Sequence, residues 1–595
     1  MFKSLISSLL FGFTIVITSV AISVEERVED FEQFWQTYED AYVFFDLKKE
    51  DHGVDWNAIK EDFLDRVRNS ESDLDLYAAV TEAQTLLRDG HCYNSSFAKI
   101  RETERIYFQR IGLKLVDGRK IAVSKVPNES PFAEAGIQVG DELLKFDGKT
   151  IRQLAKEARK YSAASSEGQF WKIFSSQLYI YNPLKGKPKS KSSELVFRNS
   201  AGELIKVEAD WNSVDPTGPQ NEATDGWIDD AKGVQLSEFD QKKIEGPLPI
   251  DVAVYEGDSY KISYIKIESW MKTEDPIEQF EEVFKAIEGT DGLVLDLRGN
   301  GGGVGPWGVL FTNYLIDKDT DQKSVKSSIS KLVKLFSRDE SAEEEEGSKQ
   351  PNDSWFERKL SKTFFRAAYP QLDEPTLEQI FSEPEFMKAV LKKAFGLKVS
   401  VDELKKYFKD GQFEDFYVNL SLNNRINKIK PYSNPVYVLT DGGCYSTTDI
   451  CMTILAEFKR IKLIGTPNGA GSGSPIPFVL KNSGLQVYVP HARAFPPFGT
   501  MIEGRPLQPD VVLTQTKEDL VKGKDTVLTE AVRQLYEEIV PMTNTFIDGE
   551  FELPEAIAAY STIKEQEIEW GVLHTPDWAI NATLEHQKRS KLKLK

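Results

Sequence analysis

The chain contains 595 residues, more than one hydrophobic core usually supports, so three to four domains are expected. Hydrophobic residues make up 40% of the sequence and aromatic residues 11%, which is typical of a globular protein with ample apolar surface to bury. The formal net charge of −20 disfavours binding to nucleic acids and to anionic membranes.

The N-terminus has the pattern of a signal peptide over residues 1–23. Lys3 supplies a short positive region, residues 5–20 are mostly apolar, and Ala21-Ile22-Ser23 places small residues at a cleavage site. An uncleaved membrane anchor is the alternative that this segment leaves open. We predict an exported protein, periplasmic or secreted, with no membrane span once the segment is removed.

Residues 24–104 form a predicted helical region. Aromatic residues recur every three or four positions from Phe31 to Phe45, as they would on one buried helix face. A second helical pattern ends at Leu87, and Gly90 is expected to cap that helix. His91 would then lie on the loop that follows.

Residues 105–155 contain short strand patterns separated by turn signals. An alternating segment at 111–115 is followed by a Pro-containing short helix, an Ala-Gly junction and the string GDELLKFDGKTI. This stretch resembles a PDZ domain, a fold that binds an extended peptide as an added strand and holds its carboxylate on backbone amides. The resemblance implies peptide binding at Ile111, Gly112 and Leu113, although the usual Gly-Leu-Gly-Phe form is absent. A purely structural PDZ domain is the alternative.

An α/β pattern begins at residue 258. A strand at 260–265, an amphipathic helix at 276–287 and a buried-type strand at 292–298 predict a parallel α/β unit. The predicted organisation is a linking α/β region at 156–257, a core at 258–317 and 431–540, a helical insertion at 318–430 and a C-terminal tail at 541–595.

Three separated segments of this core carry residue types suited to catalysis. A strand runs into Gly301-Gly302-Gly303, where backbone N–H groups can approach a ligand without interference from a Cβ atom. Another strand leads through a turn to Ser446 at a predicted helix start, where amides and the helix dipole favour an oxyanion. Serine is also a preferred helix cap, so this segment alone leaves a structural role open. The third segment is a Pro-rich turn that contains Glu503.

Four strings, LVLDLRGNGGG, VLTDGGCYSTTDI, LIGTPNGAGSG and IEGRPLQPDVV, follow one another between about 292 and 512. In this order, and behind a PDZ-like segment, they resemble the tail-specific, C-terminal-processing serine proteases. The resemblance implies a crotonase-like (ClpP/crotonase superfamily) α/β catalytic core. The expected fold class is therefore multidomain α/β, with an N-terminal helical region, a PDZ-like β domain and this core with its helical insertion.

The resemblance also implies an exported serine endopeptidase that forms an acyl-enzyme with protein or peptide substrates. Its motif places the nucleophile at Ser446, whereas Cys444, a chemically plausible rival, lies off the catalytic position. The common branch of the family has a lysine base 25 residues after the serine, but Gly471 occupies that position and residues 468–473 contain no lysine.

A second branch, which includes the tricorn protease core, takes a histidine from before the PDZ domain and a glutamate from a late loop. The Asp-Gly-His string at 89–91 and Glu503 match these two features. The resemblance therefore implies that His91 is the general base and that Glu503 supports its imidazole. Backbone N–H groups of Gly301 or Gly302 and of Thr447 would stabilise the oxyanion.

Three cysteines and five scattered histidines predict neither a disulfide scaffold nor a metal site, so no metal and no cofactor are expected. Two other functions remain open at this point. One is acyl-CoA chemistry on the same fold. The other is a catalytically degenerate, exported PDZ module that binds a peptide or an apolar ligand.

Overall fold

The computed structural model describes residues 21–540 with internal gaps. These gaps are 215–226, 229–239, 258–259, 273, 275, 317–355, 361, 363–372, 396–399, 414–415, 421–429, 495 and 497–499. All but the last three residues of the predicted signal peptide lie outside the described residues, as does the whole predicted tail at 541–595. Within the described part of the chain, no helix is both long enough and apolar enough to cross a membrane.

Five helices form the N-terminal region. They are α1 (Val24–Ala41), α2 (Phe45–His52), α3 (Trp56–Arg68), α4 (Asp73–Leu86) and α5 (Ser96–Thr103). The predicted aromatic face is buried, and the rings of Trp35 and Trp56 stack with centroids 3.9 Å apart. Helix α4 ends before Arg88, which has a positive φ of 49°, so Gly90 is not the helix cap that the sequence predicted.

The PDZ-like region is built on a seven-stranded sheet, in which five strands follow the order β2-β3-β4-β6-β7, while β5 pairs with β4 and β9 pairs with β3. Its elements are β1 (Ile106–Phe108), β2 (Gly112–Val116), β3 (Lys120–Pro127), α6 (Pro131–Glu134), β4 (Glu142–Phe146), β5 (Lys149–Thr150), α7 (Ile151–Ala158), α8 (Glu167–Gln177), β6 (Ser192–Arg198), β7 (Leu204–Asp210), β8 (Asn212–Val214) and β9 (Trp227–Ile228). Strand β6 pairs with β4 and with β7, so this sheet continues to Asp210, beyond the predicted end of the domain at residue 155.

The α/β core has a seven-stranded sheet in the order β10-β11-β12-β13-β18-β19-β23, in which β18 is Val436–Thr440, β19 is Lys462–Gly465 and β23 is Val511–Val512. Its first part contains β10 (Asp240–Lys242), β11 (Ile250–Glu256), β12 (Lys261–Ile267), α9 (Ile277–Ala286), β13 (Gly292–Asp296) and α10 (Gly305–Thr312). Strands β12, β13, β18, β19 and β23 are parallel, which confirms the α/β unit that the sequence predicted. Strand β13 is buried along its whole length, as its apolar composition requires.

Between the two halves of the core, the described residues contain both helices and strands. They are β14 (Phe356–Leu360), α11 (Glu374–Ser382), α12 (Pro384–Phe395), α13 (Val401–Lys405), β15 (Phe408–Lys409), β16 (Gln412–Phe413) and β17 (Phe416–Leu420). The insertion is therefore not purely helical, because β14 pairs with β17 and with β22 (Ala492–Ala494) of the core.

The second half of the core contains the remaining elements. They are β18 (Val436–Thr440), α14 (Thr447–Glu457), β19 (Lys462–Gly465), β20 (Pro475–Val479), β21 (Gln486–Pro490), β22 (Ala492–Ala494), β23 (Val511–Val512), α15 (Lys517–Val521) and α16 (Thr526–Ile539). The β20–β21 hairpin shares a hydrophobic core with the N-terminal helices. This packing brings the N-terminal helices against the loops that follow the parallel strands.

Candidate active site

Ser446 lies between strand β18 and helix α14, at the N-cap position of the helix. Its φ of 62° and ψ of −118° belong to a region that favours glycine, and a non-glycine residue there costs about 1–3 kcal/mol. The Ser446 N–H donates to Asp449 Oδ2 over 2.9 Å, which fixes the turn, and the residue remains partly exposed. This strained turn presents a hydroxyl at the positive end of a helix dipole.

The glycine loop after β13 lies directly against Ser446. A Cβ atom on Gly302 would be 2.6 Å from the Cβ of Ser446 and 3.0 Å from the Thr447 nitrogen, so only glycine fits there. The Gly302 N–H donates to Asn300 Oδ1 over 3.0 Å and is already occupied. In contrast, the N–H groups of Gly301 and Thr447 make no hydrogen bond with any described residue. Of the three predicted oxyanion donors, Gly301 and Thr447 are therefore the two whose N–H groups are not already engaged by a described residue.

His91 lies on the loop after α4 and is buried, with 4% of its surface exposed. Its Nδ1 is 3.1 Å from the Tyr445 hydroxyl, and the two rings pack with centroids 4.5 Å apart. The His91 backbone N–H donates to Asp89 Oδ1, which is also 3.7 Å from Nδ1. His91 thus contacts the residue before Ser446, but no hydrogen bond between His91 and Ser446 is present among the described residues.

Glu503 is fully buried and accepts two hydrogen bonds. Lys48 Nζ donates to Glu503 Oε1 over 2.7 Å, and the Ser472 N–H donates to Oε2 over 3.1 Å. Polar atoms of Glu503, Asp89 and His91 lie within 4.8 Å of one another. The structure therefore brings His91 and Glu503 together, and it adds a second carboxylate and an ammonium group to them.

The buried charged groups in this cluster shift one another's pKa values. Burial and the neighbouring Asp89 carboxylate raise the pKa of Glu503. Burial alone would raise the pKa of Asp89 as well, but hydrogen bonding to His91 and the Lys48 charge hold it below its usual value. Burial opposes the charge on Lys48, yet Glu503 and Asp89 together raise the pKa of this lysine. The ionised lysine therefore offsets much of the negative charge beside His91.

The comparisons with known proteins agree with this architecture. Residues 261–513 match the model of peptidase family S41. The α/β core of this chain is therefore similar to the S41 peptidases. Residues 108–173 match the PDZ domain, and residues 23–84 match the tricorn protease C1 domain. The predicted resemblance to tail-specific proteases and the predicted fold class are confirmed.

A curated relative is the carboxy-terminal-processing protease of Bartonella bacilliformis, which is 34% identical over 98 residues. That match covers 16% of this chain and 22% of the relative, so the chain matches about a fifth of the relative's length. Among solved structures, mature CPAF has a TM-score of 0.56 at 15% identity, covering 87% of this chain and 96% of that one. The complex of mature CPAF with lactacystin has the same TM-score at 16% identity, covering 87% and 98%. At such identities these two structures show a shared fold.

The α/β core has no room for a lysine at position 471. A Cβ atom on Gly471 would overlap the Tyr445 ring, and the Gly471 N–H donates to Asp449 Oδ2 over 2.7 Å. Asp449 also accepts from the Asn468 side chain over 2.7 Å. Burial raises the pKa of Asp449 well above its usual range, although the N–H groups of this loop oppose that shift. The Tyr445 ring thus fills the space beside the loop where the other branch has its base.

The predicted peptide-binding residues lie at one edge of the PDZ sheet. Strand β2 is the terminal strand in the sheet order and helix α8 packs beside it, as in a groove open to strand addition. The side chain of Ile111 is buried in the PDZ core and cannot contact a ligand. Gly112 lies tightly against Lys125 of β3, because an added Cβ would be 2.8 Å from the Lys125 Cβ. Any binding here would use the backbone of residues 111–113.

Sequence reasoning missed Lys48, Tyr445 and Asp449 and assigned no role to Asp89. Asp89 and Asp449 could have been predicted from the sequence, since Asp89 begins the Asp-Gly-His string and Asp449 closely follows Ser446 in its motif. Lys48 carries no local signal. Asp89, His91 and Glu503 are the described residues that could ligate a metal, but the Lys48 ammonium already occupies Glu503.

Proposed function

We propose that this protein is a serine endopeptidase of the tail-specific type, with Ser446 as its nucleophile. The observation that carries the proposal is the strained turn at Ser446, which lies against Gly302 while His91 packs on the adjacent Tyr445. A hydroxyl, an imidazole and free backbone N–H groups are the parts that acyl transfer needs.

In the proposed reaction, His91 removes the Ser446 proton as the hydroxyl attacks the substrate carbonyl. The N–H groups of Gly301 and Thr447 stabilise the oxyanion, and His91 then donates its proton to the leaving amine. In the second half of the reaction, His91 removes a proton from water as the water attacks the acyl-enzyme, and it then returns that proton to Ser446. Hydrogen bonds between catalytic groups often tighten only when substrate is bound, which fits the missing Ser446–His91 bond.

Glu503 and Asp89 would stabilise the imidazolium that forms during this reaction. With Lys48 ionised, the two carboxylates leave one net negative charge beside a neutral His91, and the protonated ring balances it. Glu503 acts from within 4.8 Å rather than through a direct hydrogen bond. The charge of the cluster therefore favours the transition state over the resting enzyme.

The test compares wild type with Ser446→Ala on an unstructured peptide and with a fluorophosphonate probe. We expect covalent labelling of wild type at Ser446 and a loss of kcat of about 10⁶-fold in the variant, with unchanged folding by circular dichroism. Cys444→Ala serves as the matched control and should keep its labelling. A wild-type protein that neither reacts nor cleaves would support the degenerate binding module instead.

We also propose export and peptide substrates. The pattern of residues 1–23 supports removal of a signal peptide and a periplasmic or secreted location. The PDZ edge strand supports capture of an extended protein end by strand addition. Sequencing the N-terminus of the secreted product tests the first proposal, and a proteome digest by wild type and Ser446→Ala identifies the substrates.

A further inference from the structure

We propose that Tyr445 is a positioning residue that sets the tautomer of His91. This inference rests on the proposed function, in which His91 is the general base. For Nε2 to accept the Ser446 proton, the neutral imidazole must carry its hydrogen on Nδ1. The group that faces Nδ1 therefore decides whether His91 can act as a base.

The Tyr445 side chain is clamped between two segments that are far apart in sequence. Its ring packs on His91, and it fills the space above Gly469 and Gly471 so closely that neither could carry a Cβ atom. Gly90 is similarly close, since an added Cβ would be 2.7 Å from the Tyr445 hydroxyl. The ring therefore has little freedom to move, and its hydroxyl has a defined position.

The hydroxyl has two partners. It is 3.1 Å from His91 Nδ1 and 2.9 Å from Ser165 Oγ, which in turn accepts the Gly90 N–H over 3.0 Å. A phenol has one hydrogen to donate. If Tyr445 donates to Ser165, its oxygen accepts from Nδ1–H and Nε2 is free to act as a base. If it donates to Nδ1, the hydrogen of His91 is on Nε2 and the base is blocked.

Asp89 favours the productive arrangement. Its Oδ1 is 3.7 Å from Nδ1, and a carboxylate at that distance stabilises an N–H dipole and opposes a lone pair. Nε2 is buried and has no hydrogen-bond partner among the described residues, as expected of a lone pair that receives a proton only during reaction. Ser165 comes from the PDZ side of the molecule, just before helix α8, so the catalytic tautomer depends on that packing.

The first test is Tyr445→Phe, which keeps the ring and removes only the hydroxyl. We expect kcat on a short peptide to fall about tenfold, the effect of losing one hydrogen bond that acts in the transition state, with KM unchanged. Tyr488→Phe is the matched control, because its hydroxyl bonds Gln486 away from His91. Unchanged or increased kcat in Tyr445→Phe would overturn the inference.

The second test is Ser165→Ala. Without Ser165 Oγ, His91 Nδ1 is the acceptor that remains for the Tyr445 hydrogen among the described residues, and donation to it selects the blocked tautomer. We expect kcat to fall at least as far as in Tyr445→Phe, and the double variant Ser165→Ala/Tyr445→Phe to recover to the level of Tyr445→Phe. If the kcat losses of the two single variants multiply in the double variant, the two side chains act independently. That result would contradict a hydrogen-bond chain from Ser165 through Tyr445 to His91.

The third test reads the tautomer directly, by ¹⁵N NMR of labelled histidine in the Ser446→Ala background. We expect His91, assigned with His91→Gln, to carry its hydrogen on Nδ1, and Tyr445→Phe or Ser165→Ala to shift it toward Nε2. This readout does not require activity, so it distinguishes a failure of the proposed function from a failure of the tautomer inference. If wild type neither cleaves nor reacts with the probe, the proposed function fails. If wild type is active but His91 has its hydrogen on Nε2, this inference alone fails.

Discussion

A buried ammonium group lies next to two buried carboxylates in the candidate active site. Lys48 Nζ donates to Glu503 over 2.7 Å and to the Arg88 carbonyl over 2.9 Å, and its side chain is 2% exposed. Removing one member of a buried ion pair leaves the other charge without compensation, which costs far more than the pair contributes. Lys48 therefore joins helix α2 to the Glu503 loop, and losing this contact should strongly destabilise the fold.

Lys48→Met keeps the length of the side chain and removes its charge. We expect the free energy of unfolding to fall by about 3–5 kcal/mol, because Glu503 and Asp89 would remain buried together. Urea unfolding measures this change. Lys49→Met is the control, since Lys49 pairs with Asp55 on the surface and should cost less than about 1 kcal/mol. Equal stability of the two variants would show that the Lys48 pair has no such role.

At the scale of elements, the loop between β19 and β20 is shaped around one aromatic ring. Gly469 and Gly471 both lie against Tyr445, and the Gly471 N–H donates to Asp449 at the start of α14. The Ser446 turn is therefore in contact with two loops. The loop at 469–471 packs against Tyr445 and Asp449, and the glycine loop after β13 packs against Ser446 itself. Side-chain volume at position 471 is excluded by packing.

We expect Gly471→Ala to lower the free energy of unfolding by about 1–3 kcal/mol, because its methyl group would overlap the Tyr445 ring. Gly301→Ala is the stability control, since no described atom beyond its chain neighbours lies within 4 Å of its added Cβ and its φ is not positive. Thermal and urea denaturation compare the two. A Gly471→Ala variant as stable as Gly301→Ala would mean that the loop adapts freely.

At the scale of the whole molecule, the PDZ-like region contacts the α/β core through polar side chains. Lys172 of helix α8 pairs with Asp441 over 2.7 Å, and Asp441 also accepts the N–H groups of Gly299 and Gly443. Burial would raise the pKa of Asp441, but Lys172 and these N–H groups hold it below its usual value. Asp441 therefore links the interface to the glycine loop.

The lowered pKa of Asp441 determines how its contribution to stability changes with pH. Stability from ionised Asp441 is complete above the unfolded value of about 3.9 and is lost as pH falls through the lower folded value. We expect Asp441→Asn to lower the free energy of unfolding by about 1–3 kcal/mol at pH 7, and the gap to close in acid. Urea unfolding between pH 7 and pH 2 measures the difference between the two proteins. A gap that is constant with pH would show that the carboxylate charge is not responsible.

Much of the fold was predictable because its signals are local. The apolar run at 292–296, the glycines at 301–303 and the small residues before α14 each determine the backbone of their own segment. Strand pairing is not local, so the sequence did not reveal that the PDZ sheet continues to Asp210 or that β14 joins β22. Hydrophobic periodicity shows that a strand exists without identifying its partner.

By itself, the sequence determined the order of the motifs, the resemblance to tail-specific proteases and Ser446, His91 and Glu503 as candidates. The tertiary structure alone decided that His91 meets Tyr445 across 354 positions and that Lys48 neutralises Glu503 across 455. It also decided that Cys92 and Cys444 are free thiols in buried positions. Such contacts depend on how separately folded segments pack, and no spacing along the chain encodes the distance between two side chains that only packing brings together.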